Sequence, residues 1–516
     1  MSATTAPPAD AAPSRGRAII TACTMAATLM QALDSTIANV ALPYMQGSLA
    51  ATADQITWVL TSYIVASAIA TAPVGWLATR LGRKRLFIIG LAGFTIASML
   101  CGLATSLIEI VAFRLLQGLF GAVLVPLSQT TLLDIYPPEK RGSAMAMWGM
   151  GVMIGPILGP TLGGYLTDIY DWRWVFYVNL PFGVAAIAGL LIFLPETERQ
   201  PLKFDWIGFG ALSLGLGALQ LMLDRGQQKD WFGSSEIVLE TILAGLGFYW
   251  FVVHMLTAKK PFIPPRLFRD RNLMMAMVVM FAVGMILLAS AALLAPYLQT
   301  LAGYPVFTAG LLMAPRGIGT MVAMMLAGRL SSRVDPRLLM LAGLLTVGGT
   351  MWQMTGWTPD VSERTLVIST IVQGFGLGLI FIPLQLVAFS TLANELRTDG
   401  TALWSLVRNV GAAIGISLTT LVREESIQVM HSQLAADVSP FNRLLQAGIG
   451  GGFWNPHTTP GLVALDATIN QQASIIAYIN DFKLMMVICL VVIPLLFLMR
   501  PPRRVVADPG HAAVMD

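Results

Sequence analysis

The chain has 516 residues, 55% of them hydrophobic and only 12% charged, with a mean hydropathy of +0.70. Soluble domains carry about 25% charged residues, so this balance excludes an ordinary soluble enzyme or nucleic-acid-binding domain. The formal net charge of +4 says little as a total, because the placement of the charges carries the information.

Residues 1–14 are rich in Ala, Pro, Ser and Thr and read as disordered, within a cytoplasmic segment 1–17. Arg15 and Arg17 precede an apolar run of about 25 residues with no convincing cleavage site, so the run reads as an uncleaved first span rather than a signal peptide. A membrane helix needs roughly 20 mostly apolar residues. Fourteen segments qualify as spans: 18–42, 55–78, 86–105, 109–133, 143–166, 173–194, 205–224, 236–257, 273–298, 308–330, 338–355, 365–390, 400–422 and 482–499.

The first span holds Asp34, with no other charge between Arg17 and Asp54. A charge at bilayer depth costs about 2.5–3.5 kcal/mol on insertion scales and usually faces an interior or a pathway. Thr24, Thr28, Gln31, Ser35 and Asn39 form a polar stripe beside it, which suggests a cavity-facing surface. A carboxylate whose protonation follows access and cargo can exchange a proton for that cargo; the bland alternative is a permanent ion pair that fixes helix packing.

Arg114, in span 4, is the natural partner, because topology places it and Asp34 in the same outer half of the membrane. Glu109 lies near the outer mouth, either on the pathway or as a solvated helix start. Span 5 repeats Gly151, Gly155, Gly159 and Gly163 every four residues, a smooth face that permits close packing. Pro156 and Pro160 are expected to bend that helix. Arg316, in span 10, and Arg408, in span 13, can bind an anion or pair with a carboxylate.

The basic residues set the orientation. With the N-terminus inside, 22 of the 32 Lys and Arg fall on the inner side, 7 on the outer side and 3 within spans. Both termini are therefore expected in the cytoplasm. Residues 423–481 form a long outer connector. "ESIQVMHSQL" and "ATINQQASIIAYI" in it suit amphipathic helices, and "GIGGGFWNPHTTPG" a turn-rich break; it is either a partner-binding surface or a packed lid.

The chain also repeats itself. "GWLATRLGRKR" (75–85) matches "GRLSSRVDPR" (328–337), and the "QGLFGAVLVPL" starting at Gln117 matches the "QGFGLGLIFIPL" starting at Gln373, at offsets of 253 and 256 residues. This implies an all-α polytopic membrane protein with 14 transmembrane helices: a six-helix bundle over 18–194, a two-helix insert with its linkers over 195–271, a second six-helix bundle over 272–499, and a cytoplasmic tail over 500–516. Six-span halves around a cavity are a transporter architecture. No phosphate-binding loop or catalytic constellation appears, so an enzyme or an ATP-driven pump is not expected, and an ion gradient or passive flow is. The cysteines and histidines show no ligand spacing, and no cofactor or metal is expected.

These segments resemble the fourteen-span drug:proton antiporter branch of the major facilitator superfamily, of the EmrB type, over nearly the whole chain. "LDSTIANVALP" resembles its first-span motif, "GWLATRLGRKR" motif A, "FRLLQGLFGA" motif B and "GVMIGPILGPTLGG" the antiporter motif C; "WRWVFYVNLPFG" and "LMLDRGQQKDWF" are also EmrB-like. The resemblance implies roles in coupling or cargo binding for Asp34, in proton transfer for Arg114 with Gln117 and Gly118 of motif B, in a cytoplasmic gate for Gly75, Arg80, Gly82 and Arg83, and in a hinge for Gly151, Gly155, Pro156, Gly159 and Gly163. Motif A often has an acid where this chain has Thr79, so Arg80 and Arg83 are expected to pair with Asp134 or Glu139 instead. It further implies export of amphipathic drugs from a bacterial inner membrane, with an EmrA-like periplasmic adaptor and a TolC-like outer-membrane channel. The rival readings are a proton-coupled importer and an exporter of one dedicated metabolite.

Overall fold

The computed structural model describes residues 14–499 apart from 138–139, 198, 200–202, 260, 332, 437, 439–453 and 455–457. The residues 1–13, the tail 500–516, Glu139 and most of the turn-rich break lie outside the described residues. Residues 14–17, read as part of a disordered segment, instead form the first turn of a helix that starts at Ser14.

Fourteen helical rods follow one another among the described residues, one at each expected span. They are α1 (Ser14–Ser48); α2, in three segments (Ala53–Ile56, Trp58–Thr71, Val74–Leu81); α3 (Arg83–Leu103); α4 (Leu107–Gly121, Leu124–Ile135); α5 (Arg141–Ile169); α6 (Trp174–Tyr177, Asn179–Phe193); and α7 (Trp206–Arg225). Then come α8 (Ser235–Thr257); α9 (Arg271–Pro296, continued by a wider turn Tyr297–Leu301); α10 (Val306–Met313, Pro315–Leu330); α11 (Pro336–Met354); α12 (Glu363–Ser390); α13 (Arg397–Ala436); and α14 (Thr459–Leu498). Eleven are long and apolar enough to cross a membrane, and bent α2 makes a twelfth; the other two are α5 and α11, of 29 and 19 residues.

Local sequence explains where the rods begin and break. Side-chain oxygens of Ser106, Asp205, Asp270, Asp335, Ser362 and Thr458 accept backbone N–H bonds at the starts of α4, α7, α9, α11, α12 and α14. These caps satisfy donors that a helix start leaves unpaired. In α2 the chain bends by 59° between Thr71 and Val74, where Pro73 lacks a donor. α5 runs uninterrupted from Arg141 to Ile169, through Pro156 and Pro160.

Packing follows a repeating plan. α1 lies on α5 and α6, while α2 and α3 lie on α4; eight helices later α9 lies on α13 and α14, while α10 and α11 lie on α12. The α7–α8 pair leans on α2 and α13. α5 and α10 join the two sets, with a buried Trp148 of α5 stacked on Phe381 of α12 at 6.3 Å.

At both ends the long outer connector is helical. α13 and α14 each have 40 residues and lie side by side, so the helices of their spans run on through most of 423–481. His431 meets Asp466 at 3.1 Å, and Asn480 Nδ2 donates to Ser426 Oγ at 3.4 Å. A 40-residue helix is about 60 Å long, twice the roughly 30 Å of hydrocarbon it must cross.

Candidate functional site

Asp34 is fully buried, and three side-chain donor bonds converge on its carboxylate. Arg114 Nη1 donates to Oδ2 at 2.6 Å, Gln117 Nε2 to Oδ1 at 2.8 Å, and Asn179 Nδ2 to Oδ1 at 3.2 Å. Arg114 and Asp34 are both 0% exposed, so this is an ion pair wholly withdrawn from solvent. Such a pair is tolerated because its lone pairs and protons find further hydrogen bonds.

Each donor is placed by its helix. Arg114 and Gln117 are three residues apart on α4 and so share one face; Nη1 also donates to Gln117 Oε1 at 2.7 Å. Arg114 Nε donates to the Val59 carbonyl of α2 at 3.0 Å, and the guanidinium lies over the Tyr63 ring at 4.2 Å. Gly118 makes that approach possible, because a methyl group there would run into the Tyr63 carbonyl and sit 3.0 Å from Ala66. Asn179, at the start of the long segment of α6, also donates to Ser98 Oγ of α3 at 3.0 Å, and Ser98 donates to the Phe176 carbonyl. Five helices thus meet at one carboxylate. Arg114 Nη2 and Asn179 Oδ1 are buried without a hydrogen-bond partner among the described residues.

The expected cavity-facing stripe on α1 is corrected at its first half. Thr24 and Thr28 are buried in helix contacts: Ser128 donates to the Thr24 carbonyl at 3.1 Å, and Trp148 Nε1 donates to Thr28 Oγ1 at 3.0 Å. Gln31 and Ser35 are half-buried and Asn39 is exposed. Gln31 is not among the hydrogen-bond donors to Asp34.

The other candidates lie apart from this cluster. Glu109 is exposed and caps α4, accepting from Thr105 N at 2.8 Å and Thr105 Oγ1 at 3.0 Å. Arg316 is half-buried and donates to the Leu287 carbonyl at 3.1 Å and to Ser290 Oγ at 2.8 Å on α9. Arg408 is half-buried and reaches the Asn409 side chain at 3.3 Å. Among the described residues neither arginine forms an ion pair. The repeat copies the packing of α4 but not its charge. Gln373 of α12 is buried, with Nε2 3.9 Å from Met351 Sδ and no acid bonded to it among the described residues. Gly374 closes on the Arg316 carbonyl as Gly118 does on Tyr63.

The motif A residues gather where α2 ends and α3 begins. Arg83 pairs with Asp134 at the end of α4, which also lies 3.5 Å from Arg397 Nη1 of α13. Arg80 lies over the Trp76 ring at 5.3 Å. Gly82 has φ +86°, a conformation that L side chains rarely adopt. At Gly75 the Asp399 carboxylate of α13 occupies the place of a side chain. Thr79, which stands in the acidic position, turns its hydroxyl to the Gly75 carbonyl at 3.0 Å. Thr130 Oγ1 and Thr401 Oγ1 are 2.8 Å apart in the same region, and Gly142 and Gly328 bring α5 and α10 together. At this end of the bundle, therefore, α2, α4 and α5 are closed against α10 and α13.

On α5 the glycine face packs on α1. A methyl group on Gly155 would lie 2.6 Å from Ala32 Cβ and 2.8 Å from Leu33 N; on Gly159 it would strike Thr36; on Gly163 it would lie 2.9 Å from Ile37 Cγ1. On Gly151 it would be 3.5 Å from Met25, an ordinary contact. Thr36 Oγ1 also contacts the Gly155 carbonyl at 3.3 Å. The Pro156 side chain is outside the described residues.

A helical bundle of this length, with a charge pair sealed among its first six helices and a helix-to-helix closure at one end, defines a polytopic membrane protein of the transporter type. The chain belongs to the Major Facilitator Superfamily, whose profile matches residues 24–416. It is 36% identical over 493 residues to the multidrug export protein EmrB of Escherichia coli K12, covering 94% of this chain and 95% of that protein. It is 35% identical over 505 residues to the fatty acid resistance protein FarB of Neisseria gonorrhoeae, covering 96% and 98%. Among solved structures, the proton:xylose symporter XylE aligns with a TM-score of 0.57 at 15% identity over 92% of this chain and 96% of its own. A bacterial homologue of the lysosomal transporter Spinster, inward-facing and unoccupied, aligns at 0.54 over 94% and 97%.

Proposed function

We propose that the chain is a proton-coupled multidrug exporter of a bacterial inner membrane, working by alternating access between two six-helix units, α1–α6 and α9–α14, with α7–α8 inserted. The observation that carries this reading is the sealed Asp34–Arg114 pair with Gln117 and Asn179. The similarity to EmrB and FarB supports the direction and the cargo class: amphipathic and hydrophobic toxic compounds leaving the cell.

The geometry lends itself to coupling. A proton on the Asp34 carboxylate removes the charge that holds Arg114 Nη1 at 2.6 Å. Arg114 then keeps its bonds to Val59 and Gln117 but loses its anion, and its free Nη2 is available to a new partner. Protonation and cargo binding thus act on the same helix contacts, and each shifts the population that the other finds. No covalent chemistry is needed.

The excess of basic residues supports cytoplasmic termini. In that orientation the Arg83–Asp134–Arg397 closure is the inner gate, and the structure stands with that gate shut. The ends of α13 and α14 then project into the periplasm, where we place contact with an EmrA-like adaptor and, through it, a TolC-like outer-membrane channel.

The test is directional. Cells producing the protein are expected to accumulate less of a fluorescent drug, and Asp34→Asn at equal membrane abundance is expected to abolish the difference. Undiminished efflux in that variant overturns the role of Asp34. Net drug uptake driven by an inward proton gradient overturns the export reading in favour of an importer, and transport confined to one compound favours a dedicated exporter.

A further inference from the structure

α14 carries a second buried acid. Asp481 is 0% exposed, and neither of its carboxylate oxygens has a hydrogen-bond partner among the described residues. It stands one residue before the apolar run 482–499, so it lies towards the outer end of the span yet inside the bundle.

Its surroundings are aromatic. Tyr478, one turn earlier, meets Tyr297 of α9 edge-on with ring centroids 5.4 Å apart. Phe482, the next residue, meets Trp357 at 6.0 Å. The Tyr297 hydroxyl is committed to the Thr358 carbonyl at 2.9 Å. From α13 the facing charge is Arg423, which lies 3.8 Å from Glu424 Oε1 and 5.7 Å over the Tyr478 ring rather than in an ion pair with Asp481. Lys483 of the same helix is exposed. From α9 the facing titratable group is Tyr297. Gly348 of α11 packs near Cys489, and the one charged residue of α11, Arg337, lies 11 residues before Gly348 at the opposite end of that helix from Asp481.

This setting is the opposite of Asp34's. A bare carboxylate at Asp481 would lose hydration and receive no hydrogen bond in return, a combination that proteins avoid by pairing the charge or neutralising it. A proton on either oxygen removes the charge. Movement of Arg423 from Glu424 onto Asp481 supplies the pair. The two acids therefore hold opposite states in one conformation: Asp34 paired and held by three donors, Asp481 buried and unpaired among the described residues.

We infer that Asp481 is a second proton-binding site of this transporter, loaded in the conformation described here and emptied when Arg423 moves onto it. In the loading step a proton from the outer aqueous phase bonds to a carboxylate oxygen. In the emptying step that O–H bond breaks, the proton passes to water, and the Arg423–Asp481 ion pair forms; no other reactant is required. The inference rests on the proton-coupled reading above and adds a site and a second proton to it.

The experiment uses the full chain in proteoliposomes, with ethidium as cargo and an enclosed pH dye counting protons moved per cargo. The wild type is expected to move one more proton per cargo than Asp481→Asn, and Asp481→Glu is expected to keep the wild-type ratio. An unchanged ratio and pH profile in Asp481→Asn overturns the inference. The infrared spectrum of the purified wild type gives an independent readout, also where Asp481→Asn does not reach the membrane. A protonated carboxyl C=O band that shifts in Asp481→Glu is expected, and its absence overturns the inference. Wild-type transport with no proton flux overturns the coupling reading itself, while the infrared band still reports separately on Asp481.

Discussion

Removing Arg114 strands more than one group. Asp34 loses its counter-ion, Gln117 Oε1 loses a donor, and the Val59 carbonyl loses another. Breaking a buried ion pair from one side costs about 3–5 kcal/mol, because the remaining charge stays buried without compensation. Arg114→Ala is therefore expected to unfold at a markedly lower temperature in detergent, and the added change Asp34→Asn is expected to recover part of that loss. Arg114→Lys is expected to fail in drug efflux even at normal abundance, since an ammonium cannot donate to Val59, Gln117 and Asp34 in the directions of the guanidinium fork. The Asp34–Arg114 pairing was legible in the sequence, because both charges sit in apolar spans at comparable depth. The facing of the threonine stripe was not. Hydroxyls in a helix bond to their own backbone, as Thr28 does to the Thr24 carbonyl at 2.9 Å, so a run of threonines does not mark a cavity. Asn179 and Ser98 come from separate spans, and the one signal pointing to them is an asparagine inside the apolar "YVNLPFG". Asp481 stood at the edge of its apolar run, where an acid looks like a loop residue.

At the scale of one element, α5 tests how a sequence repeat differs from a structural one. The glycines at 151, 155, 159 and 163 are identical by spacing, yet α5 and α1 are not equally close along their length. Adding volume to a full contact costs about 1–3 kcal/mol. Gly155→Val and Gly159→Val are expected to lower the unfolding temperature and depress efflux, whereas Gly151→Ala is expected to leave both near wild type. Equal effects at 151 and 155 in a thermal-shift series would contradict the packing described. The sequence marked this face but not where along it the fit is tightest, because that depends on how α1 crosses α5. The helical character of 423–481 was partly legible from "ESIQVMHSQL" and "ATINQQASIIAYI". That these stretches continue the spans without a break was not, because a change from apolar to amphipathic composition looks like a boundary when the helix itself does not end.

For the molecule as a whole, the closure at the Arg83 end joins the units that the proposed alternating access would separate. Thr130 and Thr401 face each other across it with their hydroxyl oxygens 2.8 Å apart. Thr130→Cys with Thr401→Cys is expected to form a disulfide under oxidation, to stop drug efflux in that state and to regain it on reduction; efflux that continues with the bond formed would show that transport does not require this closure to open. The number and order of the helical rods were legible from hydropathy and charge, since a bilayer leaves a chain few alternatives. The closed state was not, because it depends on contacts between distant helices such as Asp134 with Arg397. α13 shares in this closure through Arg397, Asp399 and Thr401 at its start and runs without interruption for 40 residues in all. A rod about 60 Å long that pivots by about 10° at one end sweeps its other end through about 10 Å. The closed end is thus the pivot of a rod about twice as long as the hydrocarbon is thick, and any protein gripping its tip would feel each tilt of α13 magnified.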